Sequence, residues 1–408
     1  MNIFDRIKGR RKLGKGFWKG FGTGAIICGM VCFVWQSATI QSALWYIMPF
    51  EVGITSAAKV NLMKEYLDTY YVEGVDEDMM NEYMYAGLAA SVEDKYTYYL
   101  TADDVHAHLN NSNGYFVGIG VTISLREDGD VEIVSLVEGN AAESAGILAG
   151  DILEKVDGLL VDDIPFDDLT SHIEGKEGDV VVIEVYRPST EEYLTFDVVR
   201  QAVVTQSVYH SMMEDGMGYI LITSFKDNTY GQFMEALEDL ESQNMEGLIL
   251  DLRNNLGGLV NSVHQIGDEL LAEGLMVYTE DVNGKQEERI CDHEYLDIPF
   301  VLLVNENSAS SSEIFAGAVK DTERGAVIGT QTFGKGLVQQ LFYLPDGSGM
   351  NITIQKYYTP NGTSIHGTGI TPDYVVELPE AVETEEGYVI EDTQLQKAVE
   401  ILAEEMNM

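Results

Sequence analysis

The segment Ser308-Ala309-Ser310-Ser311-Ser312 places four hydroxyl groups between an apolar run, Phe300 to Val304, and a stretch with helical spacing, Glu313 to Lys320. The length and β-branched content of the run predict a buried strand, and Ile314, Phe315, Ala318 and Val319 predict one apolar helix face. A hydroxyl at such a turn sits where the backbone N–H groups of a helix N-terminus point outward. An oxyanion formed there meets ready-made donors, which is a setting for nucleophilic catalysis by serine. The same residues also fit a plain helix N-cap, with Ser311 or Ser312 capping and the others solvated.

A serine hydroxyl needs a base at neutral pH, and a lysine can serve when desolvation lowers its pKa. Lys335 lies in Thr332-Phe333-Gly334-Lys335-Gly336-Leu337-Val338, where the glycines permit close backbone approach and the nearby side chains are apolar. Lys226, Lys285 and Lys320 have polar or acidic neighbours, and Lys356 belongs to the alternating strand Ile352 to Lys356. A Ser/Lys pair is therefore preferred to a Ser/His/Asp triad. His366 is the one histidine considered as a rival base, and a structural place in a loop suits it better. A second apolar strand, Leu248 to Leu252, runs into Arg253-Asn254-Asn255-Leu256-Gly257-Gly258 and then a helix-like stretch ending at Leu271. Glycines at such a turn let backbone N–H groups face a bound group. Asp251 and Arg253 read as a structural ion pair or loop clamp.

Four segments, NENSASSSEIFAGAVKD, TFGKGLVQQ, DLRNNLGG and GIGVTI, together resemble the carboxy-terminal processing peptidases, or tail-specific proteases. These are PDZ-containing serine peptidases that use a Ser/Lys pair. The resemblance covers residues 55–378, with the segments in the family's order. The family's nucleophile is the second serine of Ser-Ala-Ser-x-Ser-Glu and its lysine follows 25 positions on, which implies Ser310 and Lys335 here (335 − 310 = 25). The family's lysine-orienting glutamine corresponds to Gln339. Four residues of straight strand span about 13 Å, so the chain must turn near Gly334 and Gly336 for that contact. The resemblance also implies an oxyanion hole made by the amide of Gly257 or Gly258 with that of Ser311. Leu256 stands where many relatives have Pro or Gly, which leaves the choice of glycine open. A further implication is a PDZ loop at Gly118, Ile119 and Gly120 that binds a free carboxylate while the peptide adds as a strand. Glycine merely relieving a bend in a strand is the simpler alternative.

Charge is distributed very unevenly. The net charge is −44, yet residues 1–20 hold seven Lys or Arg against one acid, Asp5. From Gly20 to Phe50 no side chain is charged, and about 20 apolar residues span a bilayer core. Basic residues ahead of that span place the N-terminus in the cytoplasm and the remainder outside it. A cleaved signal peptide is the competing reading; the length of the segment and the aromatic residues Trp45 and Tyr46 favour an uncleaved anchor. Cys28 and Cys32 fall in the anchor and Cys291 is alone in the exported part, so no intrachain disulfide framework is expected there. The seven histidines show no metal-ligand spacing to one another or to Cys291, and no metal or cofactor is expected. The acidic exported part argues against nucleic acid as a partner.

The expected organisation is a cytoplasmic basic segment at 1–20 and a transmembrane anchor at 21–48. A helical region follows at 55–105, with Met and Tyr stripes that the family resemblance associates with a homodimer. A PDZ domain is expected at 112–200, a peptidase domain at 201–378, and an acidic linker with a terminal helix at 379–408. The fold class is an α/β catalytic core with crotonase-like βα layers, an inserted PDZ-like β domain, helical N- and C-terminal extensions and one N-terminal transmembrane helix. The implied function is a membrane-anchored, exported serine endopeptidase that recognises and cleaves protein or peptide substrates at free C-terminal tails. A non-catalytic PDZ scaffold and a crotonase-like acyl-CoA enzyme are the alternatives from other classes.

Overall fold

The computed structural model describes residues 54–406, apart from Glu127, Glu138, His293, Glu294 and positions 380–381, 385–386 and 390. The basic segment and the membrane anchor expected at 1–48 lie outside the described residues. No helix among those described is long and apolar enough to cross a membrane. Two compact units are distinguished, residues 1–80 and 81–408. In the first, helix α1 (Ser56–Tyr70) is capped by Thr55, whose hydroxyl accepts the Ala58 N–H at 3.2 Å, and it buries no residue. Helix α2 covers Glu77–Ala90.

The region read as helical over residues 55–105 is helical only in part. After α2 the chain leaves the helix at Ser91, turns through Asp94–Thr97 and forms strand β1 (Tyr98–Leu100) before helix α3 (Ala102–Asn113). The run Thr97-Tyr98-Tyr99-Leu100 is β-prone. Tertiary pairing with a distant strand outweighs the helical context on either side.

A β-rich module follows. Strand β2 (Tyr115–Gly118) leads to β3 (Val121–Leu125), β4 (Val131–Leu136), the short helix α4 (Ala141–Ala145), β5 (Ile152–Val156) and β6 (Leu159–Leu160). Helix α5 (Phe166–Ile173), β7 (Val180–Arg187) and β8 (Glu192–Val199) complete it, and β9 (Gln201–Val204) returns to pair with β2. The sheet order is β3-β4-β5-β7-β8, with β6 beside β5. Ile133, Val156, Leu169, Val181, Ile183 and Val185 form the centre of its own core. Among the described residues strand β3 pairs only with β4, which leaves its other edge open there.

The remaining chain alternates strands and helices. Strands β10 (Val208–Met212) and β11 (Met217–Ile222) precede helix α6 (Thr229–Ser242), β12 (Gly247–Asp251), helix α7 (Val260–Leu270), β13 (Gly274–Asp281) and β14 (Gln286–Cys291). Then come β15 (Phe300–Val304), helix α8 (Ser311–Asp321), β16 (Ala326–Gly329), β17 (Leu337–Tyr343), β18 (Gly349–Tyr358), β19 (Tyr374–Val375) and, near the C-terminus, helix α9 (Thr393–Met406). The main sheet has the order β10-β11-β12-β15-β16-β19, parallel from β11 onward. Period-two alternation in its central strands explains their continuous apolar runs, because both faces are covered. Leu248, Leu250, Leu302 and Val304 meet Phe233 of α6, Ile266 of α7 and Phe315 of α8. Ile249, Val301 and Leu303 point the other way, to Ala398, Ile401 and Leu402 of α9. A second sheet, β1-β18-β13-β14 with β17 on β18, brings the Lys335 loop and β1 to one place.

Candidate active site

The serine-rich turn is the link from β15 to α8. Three of its four serine hydroxyls are already committed: Ser308 donates to Leu252 O at 2.8 Å, Ser311 to Gly258 O at 2.8 Å and Ser312 to Asn255 O at 2.9 Å. They fasten the turn to the glycine loop after β12. Ser310 Oγ donates to no acceptor among the described residues and lines the cleft beside that loop. Ser310 also has φ 54° and ψ −114°, a left-handed backbone that a non-glycine residue adopts only where its surroundings enforce it. Strand, strained turn and helix thus present one hydroxyl to the cleft.

Glu313, in the first turn of α8, has 0% exposure and accepts four hydrogen bonds. Its Oε2 takes the amides of Ser310 at 2.9 Å and Lys335 at 2.7 Å, and its Oε1 takes the Gly334 amide and the Thr332 hydroxyl, both at 2.6 Å. One carboxylate therefore holds the backbone of both Ser310 and Lys335. Beneath the lysine, Gly336 packs so closely on the His366 amide that a Cβ would stand 2.3 Å from it. His366 belongs to this supporting loop and is not among the residues that line the cleft.

Ser310 and Lys335 line one cleft of about 450 Å³ with Tyr96, Gly257, Gly258 and Gln339. Burial pushes the Lys335 ammonium below the ordinary lysine range, the Lys95 charge adds to that effect, and Asp94 and Glu313 oppose it. Its Nζ lies 4.6 Å from the centroid of the Tyr96 ring. No hydrogen bond joins Nζ to Ser310 Oγ in this arrangement; catalytic contacts commonly tighten only when substrate is bound.

The other expected site residues fall as follows. Gln339 follows the turn at Gly334, whose φ is 91°, and a bulge between Val338 and Gln339 helps bring it to the cleft. Its Nε2 donates to Thr353 Oγ1 at 3.4 Å and not to Lys335. The Gly257 amide is taken by Asn255 Oδ1 at 2.9 Å, whereas the amides of Gly258 and Ser311 have no acceptor among the described residues. A Cβ on Gly257 would stand 2.8 Å from Ser310 Cβ and 2.9 Å from Ser311 N, so glycine keeps open the space beside Ser310. Gly118, Ile119 and Gly120 line a small groove between β3 and α5, together with Thr170, Ile173 and Glu174. Asp251 and Arg253 are paired at 2.6 Å, and Arg253 also reaches Asp392 at 2.8 Å, forming a loop clamp.

Two expectations are corrected. Lys226, set aside for its polar neighbours, lines the cleft too, and burial lowers its pKa. Its Nζ donates to Asn111 Oδ1 at 2.7 Å, so it is anchored away from a free role. Cys291 is not isolated from histidine: His264, Asp268 and Cys291 converge with ligand atoms within 4.8 Å of one another. A helical i, i+4 pair meeting the end of β14 is invisible to linear spacing rules. The cluster is already hydrogen-bonded, with His264 Nε2 on Ile290 O at 2.9 Å, and burial with the Asp268 charge pushes the thiol up to about 12. The turn Asp94–Thr97 was missed altogether as part of the site, because it belongs to no periodic element.

Comparison with known proteins gives the family. The model of peptidase family S41 matches residues 216–376. The chain is 36% identical to a carboxyl-terminal-processing protease of Synechocystis sp., over 72% of this chain and 70% of that one. It is 32% identical to a carboxy-terminal-processing protease of Bartonella bacilliformis, over 77% and 74%. A solved structure from Bacteroides fragilis, described as an S41 protease, superimposes with a TM-score of 0.51 at 17% identity, over 83% of this chain and 94% of that one. At that identity the likeness concerns the fold alone, a mixed arrangement of helices and sheets. With identity above 30% extending over most of both chains, the protein belongs to peptidase family S41 as a serine peptidase of the carboxyl-terminal-processing kind.

Proposed function

We propose that this serine peptidase hydrolyses peptide bonds near the free C-terminal tails of exported proteins through a Ser310/Lys335 dyad. The observation that carries this reading is that both side chains line one cleft while Glu313 grips both of their backbone amides. Neutral Lys335 takes the proton of Ser310, whose oxygen bonds to the substrate carbonyl carbon. The amides of Gly258 and Ser311 receive the resulting oxyanion. Lys335 returns the proton to the departing amine as the C–N bond breaks, and water then releases the acyl group from Ser310. Gln339 fixes the lysine once the side chains close on substrate. Family membership as a peptidase speaks against the scaffold and acyl-CoA alternatives.

The β-rich module reads as a PDZ domain that receives the tail: the open edge of β3, the groove against α5 and the unpaired amides of Ile119 and Gly120 support that role. Residues 1–48 read as a cytoplasmic segment and anchor that leave the catalytic part outside the membrane; recovery of a membrane-derived form lacking them would contradict this. The dyad is tested with a serine-reactive fluorophosphonate and a peptide substrate. Ser310→Ala should lose labelling and turnover, and Lys335→Ala should lose turnover, with folding retained by circular dichroism. Lys226→Met should keep the pH profile of the wild type. Turnover in folded Ser310→Ala, or a base function that follows Lys226, would overturn the assignment.

A further inference from the structure

The cleft wall that faces Lys335 comes from the N-terminal part of unit 81–408, from residues that no motif marks. Asp94 ends the segment after α2, and its carboxylate organises the turn that follows: Oδ1 accepts the Tyr96 amide at 3.0 Å, and Oδ2 accepts the hydroxyls of Thr97 at 2.8 Å and Thr353 at 2.6 Å. Thr97 Oγ1 accepts the Thr353 amide at 3.1 Å, and Asn351 Nδ2 donates to Tyr96 O at 3.1 Å. The turn is therefore nailed to β18, the strand that also carries β17 and Gln339. Gln339 meets the same Thr353 hydroxyl. So fixed, the Tyr96 ring has two ammonium groups within cation–π reach, Lys335 Nζ at 4.6 Å and Lys95 Nζ at 4.8 Å from its centroid. Lys95 also lies 5.1 Å from the ring of Phe333, two residues before the catalytic lysine.

We propose that the turn Asp94–Thr97 is a positioning device for the general base, in which the Tyr96 ring parks the Lys335 amine and the opposite charges of Asp94 and Lys95 set how readily that amine loses its proton. The inference rests on the dyad reading above and goes beyond it by naming what tunes the dyad. A flexible lysine in a cleft needs a surface to rest on, and an aromatic face holds the charged form without the fixed geometry of a carboxylate partner. A resting place of that kind lets the amine swing to Ser310 once it is neutral. The charged groups acting on Lys335 are Lys95 and Asp94 from this turn and Glu313 from α8. His366 acts on Asp94 in turn, and Lys226 and His108 line the same cleft.

The test measures kcat and KM against pH for the full-length enzyme, with a fluorogenic peptide bearing a free carboxyl end. The acid limb of kcat/KM reports the base in free enzyme. In Lys95→Gln, which removes a neighbouring positive charge at an exposed position, that limb should move up by about 0.5–1 pH unit. In Asp94→Asn it should move down by a similar amount. Tyr96→Phe, which keeps an aromatic face, should stay within about twofold of wild-type kcat, whereas Tyr96→Leu should lose about 5–30-fold in kcat with little change in KM. An unmoved limb in Lys95→Gln, or a Tyr96→Leu enzyme as fast as Tyr96→Phe, overturns the proposal. Lys335→Ala separates the two failures: if it is inactive while the limbs stay put, only the positioning device falls. If Lys335→Ala is fully active, the dyad falls and this inference with it.

Discussion

A carboxylate removed from water must find donors on every side or revert to its neutral form, and Glu313 finds four of them. Those donors belong to two chain segments, which the Phe333 amide also joins by donating to Ser308 O at 3.1 Å. Removing the carboxylate orphans the amides of Ser310, Gly334 and Lys335 together. Glu313→Ala should therefore cost about 3–5 kcal/mol in urea unfolding and lower kcat/KM by about 100-fold or more through misplacement of the reacting groups. Wild-type kcat/KM in a merely less stable variant would show that Glu313 does not position them. Ser310 and Lys335 were candidates from the sequence through serine clustering, flanking glycines and their separation along the chain, and the structure places both on one cleft. Glu313 was legible only as a member of a helix, since what matters is its four partners, two of them more than 20 residues away. Tyr96 and Asp94 were not legible at all: the turn they form takes its shape from β18, some 255 residues further on.

Strands and helices were read with few errors wherever an apolar run had both a clear period and a polar stop. Phe300–Val304 agrees to the residue, because a buried strand has abrupt ends in composition. The failure at β1 is of another kind: three residues cannot announce a strand when the partner that orders them lies elsewhere. The groove between β3 and α5 yields a prediction at this scale. Glu174 ends α5 with its side chain against Gly118, and burial alone raises its pKa. If the groove holds a peptide carboxylate, an ionised Glu174 repels it and a protonated one does not. The peptide carboxylate itself stays ionised above about pH 4, so binding should be tightest between there and the raised Glu174 value and should weaken as pH rises through it. Anisotropy titration of a tail peptide on full-length Ser310→Ala enzyme should give a Kd that grows about 3–10-fold as pH rises through the raised Glu174 value, and Glu174→Gln should flatten that dependence. An unchanged pH dependence in Glu174→Gln would count against carboxylate binding at this groove.

Across the whole molecule, the main sheet is stable only if both faces are covered, and the second cover is the C-terminal helix α9. The acidic linker before it gave little sign of this role, although the apolar spacing of Leu395, Val399 and Leu402 marked one buried face. The same end of the chain reaches the active-site loop: Arg253 joins buried Asp251 at 2.6 Å to Asp392 at 2.8 Å, just ahead of α9. Burial raises the pKa of Asp392, yet hydrogen bonds and the Arg253 charge outweigh it and hold the pKa below the ordinary 3.8. A carboxylate with a lowered folded-state pKa adds stability above its unfolded value and loses it as pH falls through the folded one. Two variants therefore separate packing from charge. Leu402→Ala should cost about 2–5 kcal/mol at any pH where the protein is folded, since it only opens a cavity against the sheet. Asp392→Asn should cost about 1 kcal/mol at pH 7, the scale of a partly exposed pair, and that gap should close below pH 3.8 as the wild-type carboxylate takes up its proton. Urea denaturation at pH 7 and pH 3 distinguishes them. A gap for Asp392→Asn that does not narrow as pH falls from 7 past 3.8 would mean that the charge clamp to Arg253 does not tie the helix to the loop after β12.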